Sequence, residues 1–94
     1  MPPLISVIIP TLDEELALGA TLDAIAGLRR PVEVLVVDGG SRDATVAVAR
    51  QYGARVVESE RGRGLQLTAG AGSACGEVLW FLHADARPAP GAVE

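Results

Sequence analysis

The sequence predicts an α/β fold, a Rossmann-like parallel sheet in the order β-α-β-α-β-α-β, and three observations carry that prediction. Four short, nearly continuous apolar runs recur along the chain. Segments with apolar residues at helical spacing, or with small residues throughout, separate them. The composition is 49% hydrophobic but only 3% aromatic, so the core must be built from Ala, Val, Leu and Ile. Unbroken apolar strands belong to a parallel sheet buried on both faces by helices. A chain of 94 residues is one domain at most, with a modest core.

Residues 4–9 (LISVII) are too short and too β-branched for a helix and read as the first strand, closed by Pro10. Thr11 and Glu14, three apart, match a capping box and predict a helix start there. Leu18, Leu22, Ile25 and Leu28 give that helix its apolar stripe, and Arg29-Arg30-Pro31 ends it. Residues 32–37 (VEVLVV) are the second strand, followed by the turn Asp38-Gly39-Gly40-Ser41. Ser41 or Asp43 can cap the next helix, which runs to Tyr52 and stops at Gly53. Residues 54–57 are a weaker third strand, and residues 58–64 (ESERGRG) a polar loop. Residues 65–74 read as a small-residue helix whose propensity Gly70 and Gly72 weaken. Residues 77–82 are the fourth strand, and residues 87–94 a proline-rich exit without a closing element.

Several function classes drop out early. A net charge of −4 argues against a general nucleic-acid binder. All eight basic residues are arginines and form no basic run. The single cysteine, Cys75, permits no intrachain disulfide and reads as a small packed residue, not a nucleophile. No apolar run approaches the roughly 20 residues that span a bilayer, and the first residues lack a signal peptide's basic region, so a cytoplasmic location is expected.

Ligands of open parallel sheets bind at the strands' carboxyl ends. Here those ends carry Pro10-Thr11-Leu12-Asp13-Glu14, Asp38-Gly39-Gly40-Ser41 and His83-Ala84-Asp85, three acid-bearing segments distant in sequence. No G-x-G-x-x-G follows the first strand and no G-x-x-x-x-G-K-[ST] occurs, which excludes a dinucleotide-dependent dehydrogenase and a P-loop NTPase. Carboxylates repel a diphosphate unless a hard cation lies between, and Mg²⁺ is typically held by one or two carboxylates plus phosphate oxygens. Asp85, behind the apolar anchor Trp80-Phe81-Leu82, suits that task. Asp38 suits a base or a ribose. His83 reads as a metal ligand, a phosphate partner or a polar strand end. Gly62-Arg63-Gly64 lets the backbone approach a ligand, and Arg63 or Arg61 can pair with phosphate.

Four segments together resemble family 2 glycosyltransferases, which have the GT-A fold and use nucleotide-diphospho-sugar donors. They are residues 6–15 (SVIIPTLDEE), 36–45 (VVDGGSRDAT), 61–64 (RGRG) and 81–85 (FLHAD), so the resemblance covers nearly the whole chain. It implies that Pro10, Thr11, Leu12 and Glu14 face the nucleotide base, with Asp13 in place of the usual Asn. It implies that Asp38 contacts the base, with Gly39 where a second Asp is usual, and that Arg63 is the basic residue of a Gly-basic-Gly stretch. It implies further that Asp85 binds Mg²⁺ or Mn²⁺ bridging the diphosphate, with Ala84 beside it and His83 in place of the first acid of Asp-x-Asp. Asp-Gly-Gly-Ser and His-Ala-Asp look like a bacterial subgroup named for arsenosugar biosynthesis.

On that resemblance residues 1–94 are the donor-binding part of a GT-A domain, for a UDP- or GDP-sugar and an unknown acceptor. The acceptor site and catalytic base are expected beyond Glu94, with no catalytic residue in this chain and no sugar transfer by it alone. An exposed sheet edge and homodimerisation are expected with it. The alternatives fit less well. A nucleotidyltransferase needs a Gly-rich basic loop after the first strand. A non-catalytic signalling module of receiver type needs its Asp at the third strand and a later Lys, and the chain has no Lys.

Overall fold

The computed structural model describes residues 3–93. The elements follow the predicted alternation: β1 (Ile5–Thr11), α1 (Glu15–Ala26), β2 (Glu33–Asp38), α2 (Thr45–Gln51), β3 (Arg55–Glu58), α3 (Arg63–Ser73) and β4 (Val78–Phe81). A 3-10 turn at Pro90–Val93 does close the exit segment, contrary to expectation, and Arg29 N–H donates to the Pro90 carbonyl at 3.1 Å. All strands are parallel, in the spatial order β3-β2-β1-β4. The chain moves outward from β1 to β3, then returns beneath the sheet to lay β4 on the other side of β1. The reversal opens a crevice at the carboxyl ends of β1 and β4, where open α/β sheets bind ligands.

The two faces of the sheet are unequal. Ile5, Val7 and Ile9 of β1 and Val36 of β2 pack against Leu18, Leu22 and Ile25 of α1 and Ala49 of α2. The opposite face, with Ile8 and Val37, receives α3 alone. That helix lies over β1, β2 and β3 and leaves β4 bare, so Leu79 and Phe81 are 39% and 46% exposed. Burial on both faces therefore holds for the inner strands but not for β4.

Gly70 explains how α3 comes so close. A Cβ there would stand 2.5 Å from Ile8 Cγ2 and 2.8 Å from Val37 Cγ2. The residue that weakens helix propensity is the one that lets the helix seat on the sheet. Gly72, one turn position away, has nothing within 4 Å.

Three boundaries differ from the sequence reading, each for a tertiary reason. Thr11 belongs to β1, and no side-chain cap bond forms at Glu14, so the capping box is absent. The first amides of α1 are instead met from far along the chain: Glu14 N–H donates to Thr45 Oγ1 at 2.8 Å and Glu15 N–H to Asp43 Oδ2 at 3.2 Å. α1 also stops at Ala26, where the Gly27 amide turns back to the Asp23 and Ala24 carbonyls, and Arg29-Arg30-Pro31 lies outside it. α3 begins at Arg63, so the Gly-Arg-Gly stretch is a helix start, not a loop. Cys75 is exposed rather than packed; its amide donates to Glu33 Oε1 at 2.8 Å.

Gly70→Ala is expected to lower stability by ~1–2 kcal/mol, since overpacking of about 1–3 outweighs the propensity gained. Gly72→Ala, in open space, should raise it by ~0.5–1 kcal/mol. Thermal melts of both variants check the pair; equal shifts would remove the close-approach argument.

Candidate active site

The crevice contains a cavity of about 320 Å³ that gathers three of the acid-bearing or glycine-bearing segments. Pro10, Thr11, Leu12 and Glu14 form one wall, from the end of β1 into the start of α1. His83, Ala84 and Asp85 form the second, just past β4. Arg63 and Gln66, from the first turn of α3, form the third. A larger hollow of about 480 Å³ lies at the opposite end of the sheet, among Leu22, Ile25, Arg29, Val32 and Tyr52. It sits at the amino ends of the strands and brings no acid and base together.

Of the site residues expected from the sequence, Pro10, Thr11, Leu12, Glu14, Arg63, His83, Ala84 and Asp85 line the crevice, whereas Asp38 and the alternative phosphate partner Arg61 do not. Asp38 is 4% exposed and lies behind the wall. Its carboxylate accepts from Thr11 Oγ1 at 2.9 Å, Gly40 N–H at 3.1 Å, Ser41 N–H at 2.8 Å and Ser41 Oγ at 2.5 Å. Burial raises its pKa, but the bonds from Ser41, Thr11 and Gly40 outweigh burial and hold the carboxyl below its ordinary value. Its visible task is to join the ends of β1 and β2. Ser41 extends the network by accepting from Asp13 N–H at 2.9 Å, and Asp13 Oδ1 accepts from Arg42 N–H at 2.8 Å. Asp13 has φ +52°, a left-handed conformation that Asn and Asp tolerate best, so Asp in place of Asn keeps both the turn and the acceptor.

The cationic wall has a local cause. Arg63 is the first residue of α3, where peptide dipoles place positive charge and first-turn amides lack helical partners. A cation at that position is unfavourable unless an anion joins it. Among the described residues Arg63 has no carboxylate partner; its guanidinium lies 3.4–3.5 Å from both ring nitrogens of His83. Helix terminus, guanidinium and imidazole thus meet where the second and third walls join, a setting for phosphate oxygens.

Asp85 is exposed on the second wall, in a turn closed by Ala86 N–H to the His83 carbonyl at 3.0 Å. Among the described residues no group of three or more His, Cys, Asp or Glu converges on a metal position. A site with so few carboxylates beside a guanidinium and a helix start fits a hard divalent ion whose other ligands come from a diphosphate. It does not fit a cage made wholly of protein.

Two residues of the site escape a sequence reading. Thr21 of α1 is fully buried; its hydroxyl donates to the Ala84 carbonyl at 2.5 Å and accepts from Arg87 Nη1, which pins the turn bearing Asp85 to α1. A threonine inside the Leu18-Leu22-Ile25 stripe was the available signal. Gln66 is 5% exposed; its Nε2 donates to the Thr11 and Val37 carbonyls, and its Oε1 accepts from Gly62 N–H. Its signal was a long polar residue four positions before Gly70, on the packed side of a small-residue helix.

Because the folded pKa of Asp38 is depressed, its stabilisation is full above the ordinary carboxyl pKa and is lost as pH falls through the folded value. Thermal midpoints should stay level from pH 7 to about 5 and fall below about pH 4. Asp38→Asn should cost ~1–3 kcal/mol at neutral pH and flatten the acid limb. An unchanged acid limb would detach the carboxylate from stability.

Comparison with known proteins agrees with the geometry. The family model for glycosyl transferase family 2 matches residues 6–94. The 4,4'-diaponeurosporenoate glycosyltransferase of Staphylococcus aureus (strain MRSA252) is 44% identical over 54 residues, which are 57% of this chain and 14% of that protein. Glucosyl-3-phosphoglycerate synthase from Mycobacterium tuberculosis, in complex with Mn²⁺, UDP and glucosyl-3-phosphoglycerate, superposes with a TM-score of 0.82 at 31% identity, covering 94% of this chain and 36% of that one. TarS 1-349 of S. aureus in complex with UDP gives a TM-score of 0.87 at 26% identity, covering 96% of this chain and 30% of that one. The chain thus spans between about a seventh and about a third of the length of these relatives. The match of almost every residue to one family model, on a sheet shared with these two UDP-bound structures, has one reading: the chain belongs to glycosyl transferase family 2.

Proposed function

We propose that residues 1–94 form the donor-binding part of a metal-dependent family 2 glycosyltransferase that takes a UDP-sugar and transfers the sugar to an acceptor hydroxyl with inversion. The observation that carries this is that one cavity is lined by the Asp85 carboxylate and by the Arg63 guanidinium at the start of α3, which contacts His83. The UDP in the two neighbouring structures supports uridine over guanosine, and the Mn²⁺ in one of them supports a divalent ion. Asp85 would hold Mg²⁺ or Mn²⁺. A bound ion there would neutralise charge on the diphosphate leaving group. Arg63 and the first amides of α3 would bind phosphate oxygens, with His83 holding the guanidinium in place. Pro10, Thr11, Leu12 and Glu14 would seat the base, and buried Ala84 sets the depth of the Asp85 turn. Asp38 would act on the base through Thr11 and the 38–41 turn rather than by direct contact.

Asp-Gly-Gly-Ser at 38–41 and His-Ala-Asp at 83–85 support placing the chain in the bacterial subgroup named for arsenosugar biosynthesis, without assigning that substrate. No described helix is long and apolar enough to cross a membrane, and a cytoplasmic setting belongs to this reading.

Calorimetry of UDP and UDP-sugars with Mn²⁺ and with chelator tests the proposal. Metal-dependent binding that Asp85→Ala weakens about tenfold or more, ~1.4 kcal/mol, is expected. Arg63→Ala should weaken binding with and without metal alike. Binding that is indifferent to Asp85 and to chelator would overturn the metal role.

A further inference from the structure

We infer that Gln66 is a positioning residue of the donor site, and that position 39 is glycine because Gln66 occupies the space a side chain there would need. The inference rests on the donor-site reading and adds a residue and a constraint to it.

A carboxamide offers two N–H donors and one oxygen. In Gln66 both donors go to carbonyls at the two inner strand ends, Thr11 O at 2.9 Å and Val37 O at 3.0 Å. Its oxygen takes Gly62 N–H at 3.2 Å. This distribution also fixes the amide's orientation, since two carbonyls require the NH₂ and an amide N–H requires the oxygen. One buried side chain therefore ties together the end of β1, the end of β2 and the residue immediately before Arg63. Gly62 has φ +144°, a conformation other residues rarely adopt, so the turn it makes sets where α3 and Arg63 begin. The wall that faces phosphate and the wall that faces the base are held in register through this group.

Gly39 carries the second half of the argument. Its φ is not in the left-handed region, so its backbone conformation does not demand glycine. A Cβ built on it would stand 3.0 Å from Cδ, Nε2 and Oε1 of Gln66 alike. Those atoms are not the free end of a flexible chain, because three hydrogen bonds hold them. A Cβ at 39 needs the Gln66 carboxamide to give by a few tenths of an ångström, which its three hydrogen bonds resist, and the Gly39 N–H adds a bond to the same Thr11 carbonyl at 3.0 Å.

The test is a double-mutant cycle read three ways: UDP affinity with Mn²⁺ well below the melting range, thermal unfolding, and the NMR resonances of the imidazole of His83, the chain's one histidine. Gln66→Ala and Gln66→Glu should each weaken UDP about tenfold and shift the His83 resonances through Arg63. Gly39→Ala should do the same. The double variant Gly39→Ala/Gln66→Ala should match Gln66→Ala alone within about twofold, since the clash disappears with the carboxamide. A merely structural role for Gln66 would lower the melting point but leave affinity and the His83 resonances unchanged, and that result overturns the inference. Multiplying effects at positions 39 and 66 also overturn it. If the unaltered protein binds no UDP, the donor reading fails; non-additive unfolding and shifted His83 resonances then still support the clamp, and their absence rejects it.

Discussion

A carboxylate taken out of water persists only where donors replace the water it lost, and Asp38 has four of them. The donors come from two places, the end of β1 and the 40–41 turn. Thr11 is the last residue of β1, so its hydroxyl locks β1 to β2 at the register where Thr11 pairs with Asp38. Gly40 and Ser41 fold the turn back over the carboxylate, and Ser41 hands the network on to Asp13. The polar edge of this sheet is one hydrogen-bonded unit grown from a buried charge. The cavity wall that leaves β1 inherits its geometry from it.

Charge at the cavity is divided by element. Asp85 sits on a turn fixed to α1 through Thr21 and the Ala84 carbonyl, and Glu14 lines the cavity from the start of α1. The guanidinium of Arg63 sits on the start of α3, against the His83 ring, and among the described residues no carboxylate touches it. Its charge is therefore not neutralised by an acid of the cavity. An ion pair between them would have satisfied both and left nothing for a ligand. An arginine–carboxylate pair elsewhere, Arg55 with Glu33 at 3.3 Å, lies at the far end of the sheet and shows the alternative.

The sheet, its helices and most of the cavity lining were legible because their signals are local. Residues 4–9 and 32–37 are apolar runs that can only be inner strands, and Leu18, Leu22 and Ile25 mark one helical face. Boundaries were misread where a local motif competed with a distant partner. Thr11 and Glu14 have capping-box spacing, yet the Thr11 hydroxyl goes to Asp38, 27 positions on. Gln66 and Thr21 were illegible for the same reason, since their partners lie 55 and 63 positions away. Asp38 was read as a ligand contact because its place at a strand end is visible in sequence and its four internal donors are not.

The start of α1 has a consequence in time as well as in space. Its first amides are met by Asp43 and Thr45, and the longer of these two links spans 31 positions. At roughly 5–20 residues per second of synthesis, Glu14 leaves the ribosome about 2–6 s before Thr45 does. For that interval the helix has its apolar stripe but no cap. It becomes a fixed element only when β2 has paired with β1 and delivered the 38–45 turn. The first helix of this chain is thus finished by its second βα unit, and the two are made together or not at all.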